Sequence, residues 1–185
     1  MKRLSFSAVL LAAGRSTRMG TDKAELAVGG RLLWQRQWAL LEQAGATERF
    51  LSVRPEQLWV PTDGLVVYDR QPDAGPLSGI AAALAKMTGS HLLVLAVDLP
   101  AMEPTWFQEL AALCSAGVGV VGWQSGYFEP LAAIYPRELL GAAVIALARE
   151  ELSLQHFIKN ADAAMRTHAI AESKQAWFTN WNEPV

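Results

Sequence analysis

The sequence predicts a three-layer α/β fold built on a mostly parallel sheet. Short apolar runs with strand character alternate along the chain with longer runs of helical spacing. The run His91 to Val97 is apolar without alternation, the pattern of a central parallel strand covered on both faces. The first apolar run breaks directly into a glycine-containing turn, which leaves backbone N–H groups aimed outward from a strand's end. At 185 residues the chain suits one domain over 1–185, long enough to bury a sizeable core. With 51% apolar and 18% charged residues, a disordered or fibrous class is excluded. A net charge of −2 leaves no surplus of cations for a nucleic-acid backbone, and no apolar stretch reaches membrane-spanning length. The expected partners are therefore small molecules, with no nucleic acid and no membrane. Cys114 is the only cysteine, so an internal disulfide or a cysteine-rich metal site is excluded, which fits a reducing, cytoplasmic location. Met1-Lys2-Arg3 is basic, but the apolar run behind it is short and flows into the glycine loop, which argues against a signal peptide.

Phe6 to Leu11 reads as a buried strand. Beyond the loop that follows, Ala24 to Val28 reads as a short extended piece closed by the Gly29-Gly30 turn. Leu33, Trp34, Gln37, Trp38, Leu40 and Leu41 recur at helical spacing up to a stop at Gly45, with the tryptophans packed on the core. Phe50 to Val53 is a second strand, and Pro55 ends its pairing. Leu65 to Tyr68 is a third, running through a loop rich in glycine and proline into a helix over Ile80 to Met87. The strand His91 to Val97 ends at Asp98-Leu99-Pro100. Thr105 to Ala116 reads as a helix, Gly117 to Val121 as a strand, and Pro136-Arg137 opens a long amphipathic helix to about Arg149.

Three features carry chemistry. In the stretch Leu11-Ala12-Ala13-Gly14-Arg15-Ser16-Thr17-Arg18-Met19-Gly20-Thr21-Asp22-Lys23, Gly14 and Gly20 permit close backbone approach, and Arg15, Arg18 and Lys23 concentrate positive charge. Small residues, glycines and cations together at a strand end suit a triphosphate better than a merely solvated basic loop. A P-loop is excluded because no Gly-Lys pair occurs, and a dinucleotide fingerprint because Gly14 has no glycine two residues later. The loop Asp69 to Gly79, with the rigid Gly75-Pro76 pair, is a second candidate ligand loop. Asp98 stands at the carboxyl end of the most apolar strand, where ligands of open α/β sheets gather. A carboxylate there suits Mg2+, which shares hard oxygen ligands with substrate phosphates. Its alternative role, a helix N-cap, conflicts with Pro100 and Glu103-Pro104, which push the helix start several residues later.

The string L-A-A-G-R-S-x-R-M-G-x-D-K resembles the signature loop of nucleotidyltransferases with a Rossmann-like fold, and more narrowly that of the molybdenum cofactor guanylyltransferases, L-A-G-G-x-S-x-R-M-G-x-D-K. Ala13 stands where that pattern has its first glycine, and related cytidylyltransferases carry L-A-A-G, so the base stays open between guanine and cytosine. The segment Asp69 to Gly79 resembles the family's D-x(n)-G-P-L-x-G segment on the nucleoside side, and Val94 to Pro100, with slightly different spacing, its V-x-x-D-x-P segment with the metal-binding aspartate. Gly126 to Tyr135 resembles the segment ending Q-P-L-x-A-L-Y, with Glu129 in place of glutamine. Ser153 to Phe157 resembles an S-L-x-x-F/L helix, with His156 where an arginine is common. Phe178 to Pro184 resembles the ending N-x-N-T-P-E-D, whose asparagines, here Asn180 and Asn182, reach toward the substrates; its threonine is absent, and the family's usual last helix is not expected.

The resemblance implies Mg2+-dependent transfer of GMP from GTP to molybdopterin with release of pyrophosphate. It implies nucleotide contacts from Leu11, Ala12, Ala13, Gly14, Lys23, Asp69, Gly75, Pro76, Leu77 and Asp98. Arg18, Lys23 and Asp98 would be catalytic, with the metal on Asp98. Transient contact with cofactor-biosynthesis or acceptor proteins goes with such a role. The alternatives are a cytidylyltransferase of the same cofactor, a sugar-phosphate nucleotidyltransferase, and an idle nucleotide-binding or cofactor-delivery protein.

Overall fold

The computed structural model describes residues 4–14, 22–57, 59–60, 65–68 and 74–181. Strand β1, Phe6–Leu11, is followed by a 3-10 turn, Lys23–Glu25, where the sequence suggested extended chain. The extended conformation is confined to β2, Ala27–Val28, which pairs antiparallel with β3, Arg31–Leu32, around Gly29 and Gly30. Helix α1 spans Leu33–Gln43, β4 Glu48–Val53 and β5 Leu65–Tyr68. Helix α2, Pro76–Lys86, starts four residues before the expected Ile80, because Pro76 is preset for the first helical position. Strand β6, His91–Ala96, is buried along its whole length, as its continuous apolarity requires. Helix α3 follows at Pro104–Leu113, then β7 at Gly119–Gln124, β8 at Tyr127–Pro136, α4 at Leu140–Ala148, α5 at Leu154–Asn160 and β9 at Met165–Ala169. The last described element is a 3-10 segment, Glu172–Phe178.

The main sheet has seven strands in the order β5-β4-β1-β6-β8-β7-β9. Strands β5, β4, β1 and β6 are mutually parallel, β8 alone runs antiparallel to its neighbours, and β9 pairs parallel with β7. The sheet separates two apolar cores. One gathers Leu33, Leu40 and Leu41 of α1, Trp106, Phe107 and Leu110 of α3, and Phe178. The other gathers Leu77, Ile80 and Leu84 of α2 with Ala143 and Ala146 of α4 and Leu154, Phe157 and Ile158 of α5. The expected three layers are present. The amphipathic character expected after Pro136 is absent: α4 is apolar almost throughout and leaves Val144 and Ile145 more than half exposed. Among the described residues, no helix is long and apolar enough to cross a membrane.

From β1 the chain moves outward to β4 and β5, then crosses back to place β6 on the other side of β1. That reversal opens a crevice at the carboxyl ends of β1 and β6, where ligands of open α/β sheets bind. The strands end in register there: Leu11 lies beside Ser52 and Ala96, Ala12 N–H donates to the Ser52 carbonyl at 2.9 Å, and Val97 N–H donates to the Leu11 carbonyl at 3.0 Å.

Candidate active site at the carboxyl ends of the parallel strands

A cavity of about 500 Å3 lies at this reversal. Its floor is the exit of β1, Leu11 to Gly14, as the strand-to-loop transition predicts. One wall is the entry of α2, with Gly75 and Pro76, and another the exit of β6, with Asp98. Gly75 has φ 63° and ψ −165°, a backbone region open in practice only to glycine. Pro76 follows at the first helical position, so chain entry to α2 is fixed by two residues of complementary restriction. Deeper in the same helix, Gly79 packs directly on β1 and β4. A Cβ there would lie 2.8 Å from Leu11 Cδ2 and collide with the Ser52 hydroxyl. The glycine thus lets α2 sit close enough for its first turn to border the cavity.

Lys23 and Asp98 meet across the cavity, with Lys23 Nζ 3.8 Å from Asp98 Oδ2 and roughly a quarter of each side chain exposed. Such a pair stabilises a fold by at most about 1 kcal/mol, so an arriving anion displaces it at little cost. Asp98 does not cap α3, whose N-cap is Glu103, so its carboxylate is not committed to a helix end. Its carbonyl instead accepts from Trp181 N–H at 2.9 Å, which brings the C-terminal segment back beside the site. Asn180 is exposed there, and Asn182 lies outside the described residues.

Not every expected residue reaches the cavity in the expected way. Leu77 is fully buried in the core beneath α2 and does not line the cavity, unlike Gly75 and Pro76 before it. Arg15, Arg18 and Asp69 lie outside the described residues. Glu129 accepts from Gln124 Nε2 at 2.7 Å across the β7–β8 hairpin, while its neighbour Leu131 borders the cavity. His156 lies on α5 at a separate hollow with Glu151 and Asn160.

The residues that sequence reasoning passed over come from the exit of β4. Arg54 Nη1 donates to the carbonyls of Ala13 and Gly14, the latter at 2.6 Å, and so holds the first loop from the side. Gln57 and Trp59 both donate to Asp22 Oδ2, at 2.5 and 2.9 Å. Asp22 Oδ1 meanwhile accepts from Ala24 N–H at 3.1 Å, capping the turn that carries Lys23. Both oxygens of Asp22 are therefore spent on protein donors, and its contribution is to hold the lysine. Only the cluster Arg54-Pro55-Glu56-Gln57 after a strand hinted at this; its partners are more than thirty residues away.

Among the described residues, no group of three or more His, Cys, Asp or Glu side chains could enclose a metal ion. Glu56 also lines the cavity but faces Arg54 Nε at 3.5 Å; the Asp98 carboxylate at the end of β6 suits Mg2+, which keeps waters and substrate phosphates as its remaining ligands.

Residues 8–167 match the MobA-like NTP transferase domain. A protein of Opitutus terrae described as a probable molybdenum cofactor guanylyltransferase is 40% identical over 185 residues, covering 97% of this chain and 92% of its own. One of Chloroflexus aggregans with the same description is 30% identical, covering 82% of this chain and 76% of its own. Among solved structures, molybdopterin-guanine dinucleotide biosynthesis protein A from Archaeoglobus fulgidus superposes with a TM-score of 0.73 at 20% identity, covering 96% of this chain and 93% of its own. The match over residues 8–167 and the 40% identity over nearly the whole chain show that the chain belongs to the MobA-like NTP transferase family.

Proposed function

We propose that this chain is a molybdenum cofactor guanylyltransferase, transferring GMP from GTP to the terminal phosphate of molybdopterin and releasing pyrophosphate. The observation that carries the reading is Lys23 opposite Asp98 over a cavity floored by the glycine loop. The curated relatives' names support the choice of reaction. A phosphate oxygen of the acceptor attacks the α-phosphorus of GTP, and the bond from that phosphorus to the bridging oxygen of the β-phosphate breaks. The acceptor is already ionised near neutral pH, so no general base or nucleophilic side chain is required. What the reaction does require is alignment of two polyanions and compensation of their charge.

The backbone N–H groups of Ala13 and Gly14 would face the triphosphate, and Lys23 would neutralise it together with Arg18. Gly75 and Pro76 would border the nucleoside with Asp69. Asp98 would hold Mg2+, which when bound neutralises phosphate oxygens as a Lewis acid. Exchanging Lys23 for a metal-phosphate partner costs Asp98 little, because the pair it leaves is weak.

Ala13, which matches the cytidylyltransferase form of the loop, favours CTP as the second reading. Asp22 does not help GTP directly, since its oxygens are engaged within the protein. Calorimetric titration with each nucleotide and Mg2+ decides between them. GTP is expected to bind at least about tenfold more tightly, a difference of about 1.4 kcal/mol. Equal affinities or a preference for CTP would overturn the guanylyl assignment.

A further inference from the structure

We propose that Gln57 is a positioning residue that sets Lys23 against Asp98 by joining three separate segments of the site. The inference rests on Lys23 and Asp98 being the phosphate- and metal-binding groups.

The Gln57 carboxamide is buried and uses both of its functions. Its Oε1 accepts from Arg54 N–H at 2.6 Å, and its Nε2 donates to the Ala12 carbonyl at 2.9 Å and to Asp22 Oδ2 at 2.5 Å. Ala12 belongs to the exit of β1, Arg54 to the exit of β4, and Asp22 immediately precedes Lys23. The lysine itself sits in a three-residue 3-10 turn, an element too short to define an orientation without outside support. Asp22 provides that support, and what holds Asp22 is Gln57 from one side and Trp59 from the other. Trp59 is fixed in turn by stacking on Trp34 of α1, ring centres 5.9 Å apart. Through these contacts the lysine turn hangs from the strand end that floors the cavity and from the helix beside it.

An apolar residue at 57 strands the Ala12 carbonyl and the Arg54 N–H, leaves Asp22 Oδ2 to Trp59 alone, and frees the Lys23 turn from the strand that carries the phosphate loop. A displacement of about 1 Å in a reacting group is enough to cost about a hundredfold in rate. A merely structural Gln57 would instead lower stability and leave the contribution of Lys23 to the rate intact.

The test compares wild type with Gln57→Leu, Lys23→Ala and their double variant. Pyrophosphate release from Mg-GTP with molybdopterin, Mg-nucleotide affinity by calorimetry and the thermal midpoint are measured for each. Gln57→Leu is expected to lower kcat/KM by about 30-fold or more, and by less than about twofold when Lys23 is already alanine. Trp59→Phe keeps an aromatic face toward Trp34 and removes one donor to Asp22; its expected loss is about 3- to 10-fold, again vanishing in the Lys23→Ala background. It carries the test alone if Gln57→Leu does not fold. Losses that multiply in the double variants, or single variants with wild-type kinetics, overturn the proposal. Wild-type protein that binds neither Mg-GTP nor Mg-CTP would overturn the nucleotidyltransferase reading itself, and this inference with it.

Discussion

Gly79→Ala is the sharpest test of how α2 is seated against the sheet. The added methyl would press on the Ser52 hydroxyl, lie 2.8 Å from Leu11 Cδ2 and 3.2 Å from Ser52 Cβ. Leu11 can give at the end of a flexible side chain, but Ser52 is buried in β4 and its Cβ is fixed by the strand. Inserting one carbon into such a contact costs about 1–3 kcal/mol, and we expect about 2 kcal/mol here. For a protein of this size that lowers the thermal midpoint by about 4–8 °C. The outward push on α2 also moves Gly75 and Pro76 from the β1 exit, so nucleotide affinity should fall by about 3- to 10-fold, or about 0.7–1.4 kcal/mol. Ser52 supplies the internal control. Its Oγ is buried with no hydrogen-bond partner among the described residues, so Ser52→Ala alone should change stability by less than about 0.5 kcal/mol. Combined with Gly79→Ala it should restore more than half of the lost stability, because the worst contact is gone. Differential scanning calorimetry of the four proteins measures both effects. A Gly79→Ala midpoint within about 1 °C of wild type, or no recovery in the double variant, would refute the reasoning.

Lys23→Ala should lower turnover by about a hundredfold with the thermal midpoint nearly unchanged, since a long, partly exposed ion pair contributes little stability; a folded, fully active variant removes Lys23 from the mechanism. Gly75→Ala forces a side chain into φ 63°, ψ −165° and should cost about 1–3 kcal/mol, read by thermal unfolding, with wild-type stability as the contrary result. Burial pushes the Cys114 thiol up from 9.0 to about 12, against a smaller opposing effect of Arg166. Because the folded form keeps a proton that the unfolded chain releases, the contribution of this thiol should be constant below pH 9 and decline from there toward pH 12. Burial raises the Tyr135 phenol in the same direction, where its hydroxyl donates to the Pro130 carbonyl at 2.8 Å. Alkaline unfolding profiles of Cys114→Ser and Tyr135→Phe should each be flatter than wild type, and unchanged profiles would contradict this.

The residues visible in the sequence were those whose role is local. Strand β1 and its exit through Gly14, β6 and Asp98 follow from apolar runs and the residues that end them, and the structure places them as expected. Strand β9 was missed because Met165–Ala169 is an edge strand with four of five residues facing outward or half-buried, so no apolar run marks it. The segment Glu172–Phe178 was missed for a related reason: only Phe178 is buried, held edge-on against Trp106 at 5.1 Å. The Lys23–Glu25 turn escaped notice because three residues carry no helical periodicity, and Asp22, which caps it through Ala24 N–H, is held in place by Gln57 and Trp59 far along the chain. Leu77 illustrates the opposite error, in which a residue inside a resembling motif serves the core while its neighbours border the cavity. Sequence spacing identified which segments converge, and the hydrogen bonds that lock them together needed three dimensions.

The central claim, guanylyl transfer dependent on a metal held by Asp98, is tested most directly by pyrophosphate release from GTP and molybdopterin measured across Mg2+ concentration. Wild type and Asp98→Asn are compared, since this change keeps the shape and removes the charge that retains the ion. Wild type should turn over, while the variant should lose nearly all activity at low Mg2+ and recover in part as Mg2+ rises, because mass action offsets weakened binding. Superimposable Mg2+ curves for the two proteins, or wild type with no release from GTP, would contradict it.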